Sequence, residues 1–168
     1  RAVMRSSSSA GRELGLVAAI VLATAGVYAA VARHGFIHFD DGVFLYANPH
    51  VLAGLTGEGL HWAFTNWEHR LWAPLTWLSH MADVQLFGVA PGWHHLTNLA
   101  LHLACTVALY LLLRAATGAR WRSALVAALF ALHPLHVESV AWISERKTLL
   151  STLFGWLCLL AYVRYARG

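Results

Sequence analysis

Charge is what this chain has least of. Only 12% of its 168 residues are Asp, Glu, Lys or Arg, whereas 58% are hydrophobic. A soluble domain carries about 25% charged residues, and half that share does not coat a water-facing surface. A soluble globular protein is therefore excluded. Cysteine is almost as scarce: Cys105 and Cys158 both sit inside apolar runs, so there is no disulfide framework and no CxxC metal spacing. No tandem repeat is present, and low-complexity sequence is confined to the polar "SSSS" at 6–9.

What the chain has instead is long apolar runs. Four segments predict membrane spans: Leu14–Ala32, Trp93–Leu113, Ser123–Ile143 and Thr148–Val163. The first follows Arg1, Arg5 and Arg12 and ends in Ala30-Val31-Ala32, so a cleaved secretory signal competes with an uncleaved anchor. Its 19 residues exceed the 7–15 or so of a signal's apolar stretch, which favours the anchor. The expected fold class is an all-α integral membrane protein of about four transmembrane helices.

Basic residues orient the spans. With the N-terminus inside, the segments 1–13, 114–122 and 164–168 face the cytoplasm and hold eight of the twelve basic residues. Seven of the eight acids then fall outside, in residues 33–92 and around 138–147. The outer loop 33–92 carries apolar residues at helical spacing: Leu60, Phe64, Trp67 and Leu71, then Leu71, Leu75, Leu78, Ala82 and Leu86. With Trp62, Trp67, Trp72 and Trp77 alongside, these stripes predict amphipathic helices lying along the outer interface.

Three polar groups could carry chemistry. Asp40 and Asp41 stand just outside the first span, between His34 and His38 on one side and Asn48-Pro49 on the other. Vicinal carboxylates bind a divalent cation through hard oxygens, or divide into a general base and an orienting partner; two solvated turn acids are the plainer account. The segment "HPLHVESVAWISERK" places His133 and His136 on one helical face and lines up Glu138, Trp142 and Glu145, with Arg146 and Lys147 after them. Ionisable groups at membrane depth usually face a cavity or pathway, and a basic pair at the surface suits a phosphate. Rim charges anchoring a helix hairpin explain the same residues. His95, Asn98 and His102 share a face of the second span beside His94, which serves interhelical hydrogen bonding as well as a site.

Taken in order, "FIHFDDGVFLYANPHV", "LWAPLTWLSHMADVQLFG", "GWHHLTNLALHLACTVALYLLL" and "ALFALHPLHVESVAWISERKTLLSTLF" resemble the start of the transmembrane-and-TPR O-mannosyltransferase family and its bacterial relatives, which are GT-C glycosyltransferases. The resemblance covers roughly residues 14–165, a partial membrane domain. It implies a sugar such as mannose passed from a polyprenyl-phosphate carrier to a hydroxyl on a protein or glycan acceptor. The expected setting is the periplasmic or lumenal face, in a bacterial inner membrane. Acids of the first outer loop act in such enzymes as base or metal ligand, which implicates Asp40 and Asp41. Asp40 is the first choice as base, with Asp41 orienting or binding the metal. The second outer motif implicates His133, His136, Glu138, Arg146 and Lys147 in lining the site or binding the carrier phosphate. Relatives continue into further spans and a TPR domain, so the chain reads as an N-terminal piece. Expected partners are the lipid-linked donor, the acceptor and the bilayer, with no nucleic acid. A divalent metal is the one cofactor in view. The alternative reading is a non-enzymatic membrane module for metal, haem or a partner protein.

Overall fold

The computed structural model describes residues 2–67 and 71–168, with side chains from residue 11 onward. Arg1 and the side chains of Arg5 and the "SSSS" tract, part of the expected cytoplasmic segment 1–13, lie outside the described residues. So does His69 of the outer loop.

The described residues form helices and connecting turns. Helix α1 (Ala2–Tyr28) tightens into a 3₁₀ turn, Ala29–Arg33, and a π-helical turn follows at Gly42–Tyr46. Three short outer helices come next: α2 (Pro49–Leu52), α3 (Gly57–Thr65) and α4 (Pro74–Phe87). The long α5 (Pro91–Thr117) leads to α6 (Arg120–Leu132), the single-turn α7 (Val137–Ala141) and α8 (Arg146–Arg167). The boundaries follow local chemistry. Proline opens α2, α4 and α5 at the first turn, where its missing N–H costs nothing. The Asn48 side chain accepts from His50 N–H and Val51 N–H, capping α2. Gly118, at φ +70°, closes α5 and returns its N–H to the Arg114 carbonyl.

Among the described residues three helices are long and apolar enough to cross a membrane: Gly11–Arg33, Pro91–Thr117 and Ile143–Arg167. They enclose the expected spans 14–32, 93–113 and 148–163. The expected span 123–143 is different. Alpha6 ends at Leu132, and the chain turns by 52° into Pro134–Ala141. Thirteen residues of α6 rise only about 20 Å against a core of about 30 Å, so α6 crosses only together with the bent segment. Pro134 is the cause. It forces His133 into extended backbone (φ −68°, ψ 130°) and cannot bond back along the helix.

Helix α5 is the centre of the bundle, with half of its most apolar window buried. At one end the outer elements meet: a Cβ on Gly92 would strike the Ala32 carbonyl oxygen, and His95 Nε2 contacts the Gly35 carbonyl at 3.2 Å. At the other end Arg114 pairs with Glu13 at 2.9 Å, and the Arg167 guanidinium caps the carbonyls of Ala115 and Ala116. The loops expected outside and those expected inside thus gather at opposite ends. Val31 at the end of the first span packs with Leu99 and Val140.

The outer helices build a cap with its own core of Phe44, Val51, Ala63, Trp77 and Met81. Phe44 stacks on Trp77 at 4.8 Å, and Trp62 meets Trp77 edge-on at 5.1 Å. The stripe Leu60–Phe64–Trp67–Leu71 is not one helix, because α3 stops at Thr65. On α4 the expected Leu stripe is divided: Leu75 and Leu86 are exposed, whereas Leu78, with Leu71 just before the helix, packs against the cap core. The buried residues of α4 are Pro74, Thr76, Trp77, His80, Met81 and Asp83.

Candidate active site on the outer face

The acidic loop is tied to the second outer loop through a single carboxylate. Asp41 is fully buried. Its Oδ1 accepts from Ser144 Oγ at 2.7 Å and from Ser144 N–H at 3.1 Å, while Oδ2 accepts from Ile37 N–H at 2.8 Å. Donors occupy both oxygens. A cation placed there would face N–H and O–H hydrogens, so Asp41 does not fit the role of an open metal ligand. Asp40 is half-buried, and its carboxylate meets no hydrogen-bond partner among the described residues. The two acids have separated into one that is committed and one that is available.

Ser144 passes the connection on. Its carbonyl accepts from Lys147 Nζ at 3.1 Å, and the same amine contacts Glu145 Oε1 at 2.6 Å. Glu145 Oε2 takes a further bond, from Thr148 Oγ1 at 2.6 Å. Lys147 is the chain's only lysine; it stands 5.2 Å from the Phe44 ring centroid and 5.9 Å from that of Trp142. Its side chain is about one-third exposed. It borders an apolar groove of about 740 Å³ between the cap and α8, walled by Phe64, Leu71, Trp72, Leu75, Leu150 and Phe154. Lys147, Thr148 and Ser151 supply its polar edge.

Arg146 lies elsewhere. It is fully buried, and every arm of its guanidinium is engaged. Nε donates to Asn98 Oδ1 at 2.8 Å and NH2 to the His94 carbonyl at 2.9 Å. NH1 reaches the Ser79 carbonyl and hydroxyl at 3.2 and 3.1 Å and pairs with Asp83 Oδ2 at 2.7 Å. The basic pair expected at a phosphate is therefore split, with Lys147 at the groove and Arg146 locking α4 and α5 onto α8. Burial pushes the Asp83 carboxyl up, but hydrogen bonds and charge from His94 and Arg146 outweigh it and hold the group below its ordinary value. His80 is enclosed beside this node with both ring nitrogens lacking a protein partner. Burial, reinforced by the charges of Arg146, His94 and Lys147, drives its pKa well below the ordinary imidazole value.

The remaining expected residues gather at the break after α6. His133 is exposed, and its Nδ1 accepts from Leu135 N–H at 3.3 Å. His136 packs 5.6 Å from the His102 ring and 4.4 Å from Phe130. Glu138 is exposed without a side-chain partner. The line Glu138–Trp142–Glu145 is interrupted, because α7 ends at Ala141 and Trp142 is extended (φ −110°, ψ 117°). Among the described residues no hydrogen bond, ion pair or ring contact joins His133, His136 or Glu138 to the Asp41–Ser144–Lys147 cluster. On α5, Asn98 donates to the Trp142 carbonyl at 3.0 Å and His102 Nε2 contacts the Ala131 carbonyl at 3.0 Å, which is interhelical bonding.

Ser144 and Asp83 were missed by sequence reasoning. A serine among "ISERK" carries no mark of a buried partner. Asp83 did offer one, as a lone acid within an apolar helical stripe, where an unpaired charge is costly.

Protein O-mannosyl-transferase TMTC1 of Mus musculus is 33% identical over 162 residues, 89% of this chain and 17% of the relative. Protein O-mannosyl-transferase Tmtc2 of Drosophila melanogaster is 31% identical over 144 residues, 79% of this chain and 15% of that relative. Tmtc1 of the same fly is 36% identical over 99 residues, 59% of this chain and 11% of that relative. The chain thus spans less than a fifth of the length of these TMTC relatives. They come from animals, so the bacterial inner membrane expected above draws no support from them. No family model matches, and no solved structure matches.

Proposed function

We propose that this chain is part of the membrane domain of a GT-C-type glycosyltransferase. It moves a sugar, in the first instance mannose, from a polyprenyl-phosphate carrier to an acceptor hydroxyl on the outer side of the membrane. The observation that carries the reading is the placement of Lys147. The chain's only lysine sits at the polar edge of an apolar groove and is held by the residue that also binds the acidic loop. A lipid phosphate needs that combination, an apolar trough for the chain and a cation at its end. The groove's volume of about 740 Å³ lies inside the roughly 300–1,000 Å³ range of small-molecule sites. The names of the TMTC relatives supply the sugar.

The chemistry then divides between Asp40 and Lys147. The Asp40 carboxylate takes the proton of the acceptor hydroxyl as its oxygen bonds to the anomeric carbon. The bond from that carbon to the phosphate oxygen breaks, and its electron pair leaves with the polyprenyl phosphate. The Lys147 ammonium stabilises the charge that develops there. Asp41 orients the loop, and no step passes through a metal. Among the described residues no three His, Cys, Asp or Glu side chains converge on a cation site.

The test is transfer of labelled mannose from a short-chain polyprenyl-phosphate donor by the intact protein in liposomes. Lys147→Met is expected to raise the donor KM on the order of tenfold or more, with smaller effect on acceptor KM. Absence of any transfer by wild-type protein with a range of acceptors overturns the reading.

A further inference from the structure

We infer that Ser144 is a positioning residue for the transfer reaction, the joint through which the first and second outer loops are brought into register; this rests on the transferase reading above. Three observations converge on it. Its side chain and amide both donate to one oxygen of the buried Asp41 carboxylate, at 2.7 and 3.1 Å. Its carbonyl accepts from the Lys147 amine at 3.1 Å. Ser144 is itself fully buried, between Ile143, also buried, and Glu145 in a single 3₁₀ turn, so it has little freedom to reorient.

The amide and hydroxyl of Ser144 turn toward the Asp41 carboxylate, while its carbonyl, part of the next peptide group, accepts from the Lys147 amine. Asp41 is the residue next to Asp40 and also takes the Ile37 amide on its second oxygen, so the Ser144 bond sets where the neighbouring free carboxylate stands. The lysine belongs to the second outer loop and the acid to the first, and both loops contribute to the groove. Ser144 is the hydrogen-bonded residue common to both.

The side chain and the backbone of Ser144 separate in a test. Ser144→Ala removes the hydroxyl bond to Asp41 but keeps the carbonyl that holds Lys147. The acidic loop should loosen while donor binding stays intact. In the intact protein in liposomes, S144A is expected to lower kcat on the order of 10–100-fold, the size of a misplaced reacting group, with donor KM unchanged. Ser144→Thr, which keeps the hydroxyl, should restore most of kcat. Amide exchange in residues 36–46 should quicken in S144A and return toward wild type in S144T. If S144A does not accumulate, Ser144→Cys keeps the volume with a weaker donor and carries the same comparison. An unchanged kcat in folded S144A or S144C overturns the inference, as does a donor KM that rises with no fall in kcat. Wild-type protein with no transfer at all overturns the transferase reading instead.

Discussion

Arg146 and Asp83 meet at 2.7 Å in a site closed to solvent, and this pair holds α8 to the outer cap. Two charges brought out of water in this way survive only if their remaining hydrogen-bonding capacity is met. Here it is met by Asn98, Ser79 and the His94 carbonyl on the arginine side and by His94 Nδ1 at 3.3 Å on the other.

Breaking this pair from one side should be worse than removing both charges. Arg146→Met leaves Asp83 buried without its arginine, at an expected cost of about 3–5 kcal/mol. The double variant Arg146→Met, Asp83→Leu should recover much of that loss. Thermal unfolding of detergent-solubilised protein measures the difference, and a double variant no better than R146M would show that the hydrogen bonds, not the charges, matter.

His80 predicts how stability falls in mild acid. Its folded-state pKa is depressed by burial and by neighbouring positive charge, so below about pH 6.5 the unfolded chain takes up a proton that the folded chain refuses. The unfolded state then binds more protons, and stability drops as pH falls through that window. Above it the residue makes no pH-dependent contribution. His80→Phe should flatten the unfolding midpoint between about pH 6.5 and 5. It should also leave neutral-pH stability equal or higher, since it removes two buried polar atoms without partners. A midpoint with the same pH slope as wild type would assign the acid sensitivity elsewhere.

Gly92 is where α5 passes the end of the first span. A Cβ there would meet the Ala32 carbonyl oxygen well inside van der Waals contact, and the obstacle is backbone, which cannot swing aside. Gly92→Ala should destabilise by about 1–3 kcal/mol, the usual cost of overpacking. Gly155→Ala, at an open position on α8, should be neutral or stabilising. Limited proteolysis of the two variants side by side provides the comparison.

Asp40 and Asp41 should fail differently. Asp40→Asn removes the available base and should abolish transfer while unfolding stays at wild-type temperature. Asp41→Asn leaves a neutral amide facing Ser144 and Ile37, and should lose both stability and transfer. Equal stability losses in the two variants would contradict the division of roles.

Residue types alone draw attention to Asp40, Asp41 and Lys147 as candidates, because adjacent like charges, and a basic pair at the end of an apolar run, are costly patterns that demand an explanation. The division of labour within each pair was not legible. Neighbouring residues in a chain point in different directions, and which one turns inward depends on what packs above it. Asp41 faces Ser144 and Asp40 does not; Arg146 faces Asp83 and Lys147 the groove. His133, His136 and Glu138 share a motif with those residues, yet the 52° bend after α6 sends them to another cluster.

The sequence by itself determined that this is a helical membrane protein with its acids at one end and most of its basic residues at the other. Apolar run length and charge distribution are one-dimensional quantities that the bilayer selects on directly. Tertiary structure alone decided which charges are spent on holding the molecule together and which are left for chemistry. A hydrogen bond such as that from Ser144 to Asp41 joins residues 103 positions apart in the chain, and no local spacing encodes it.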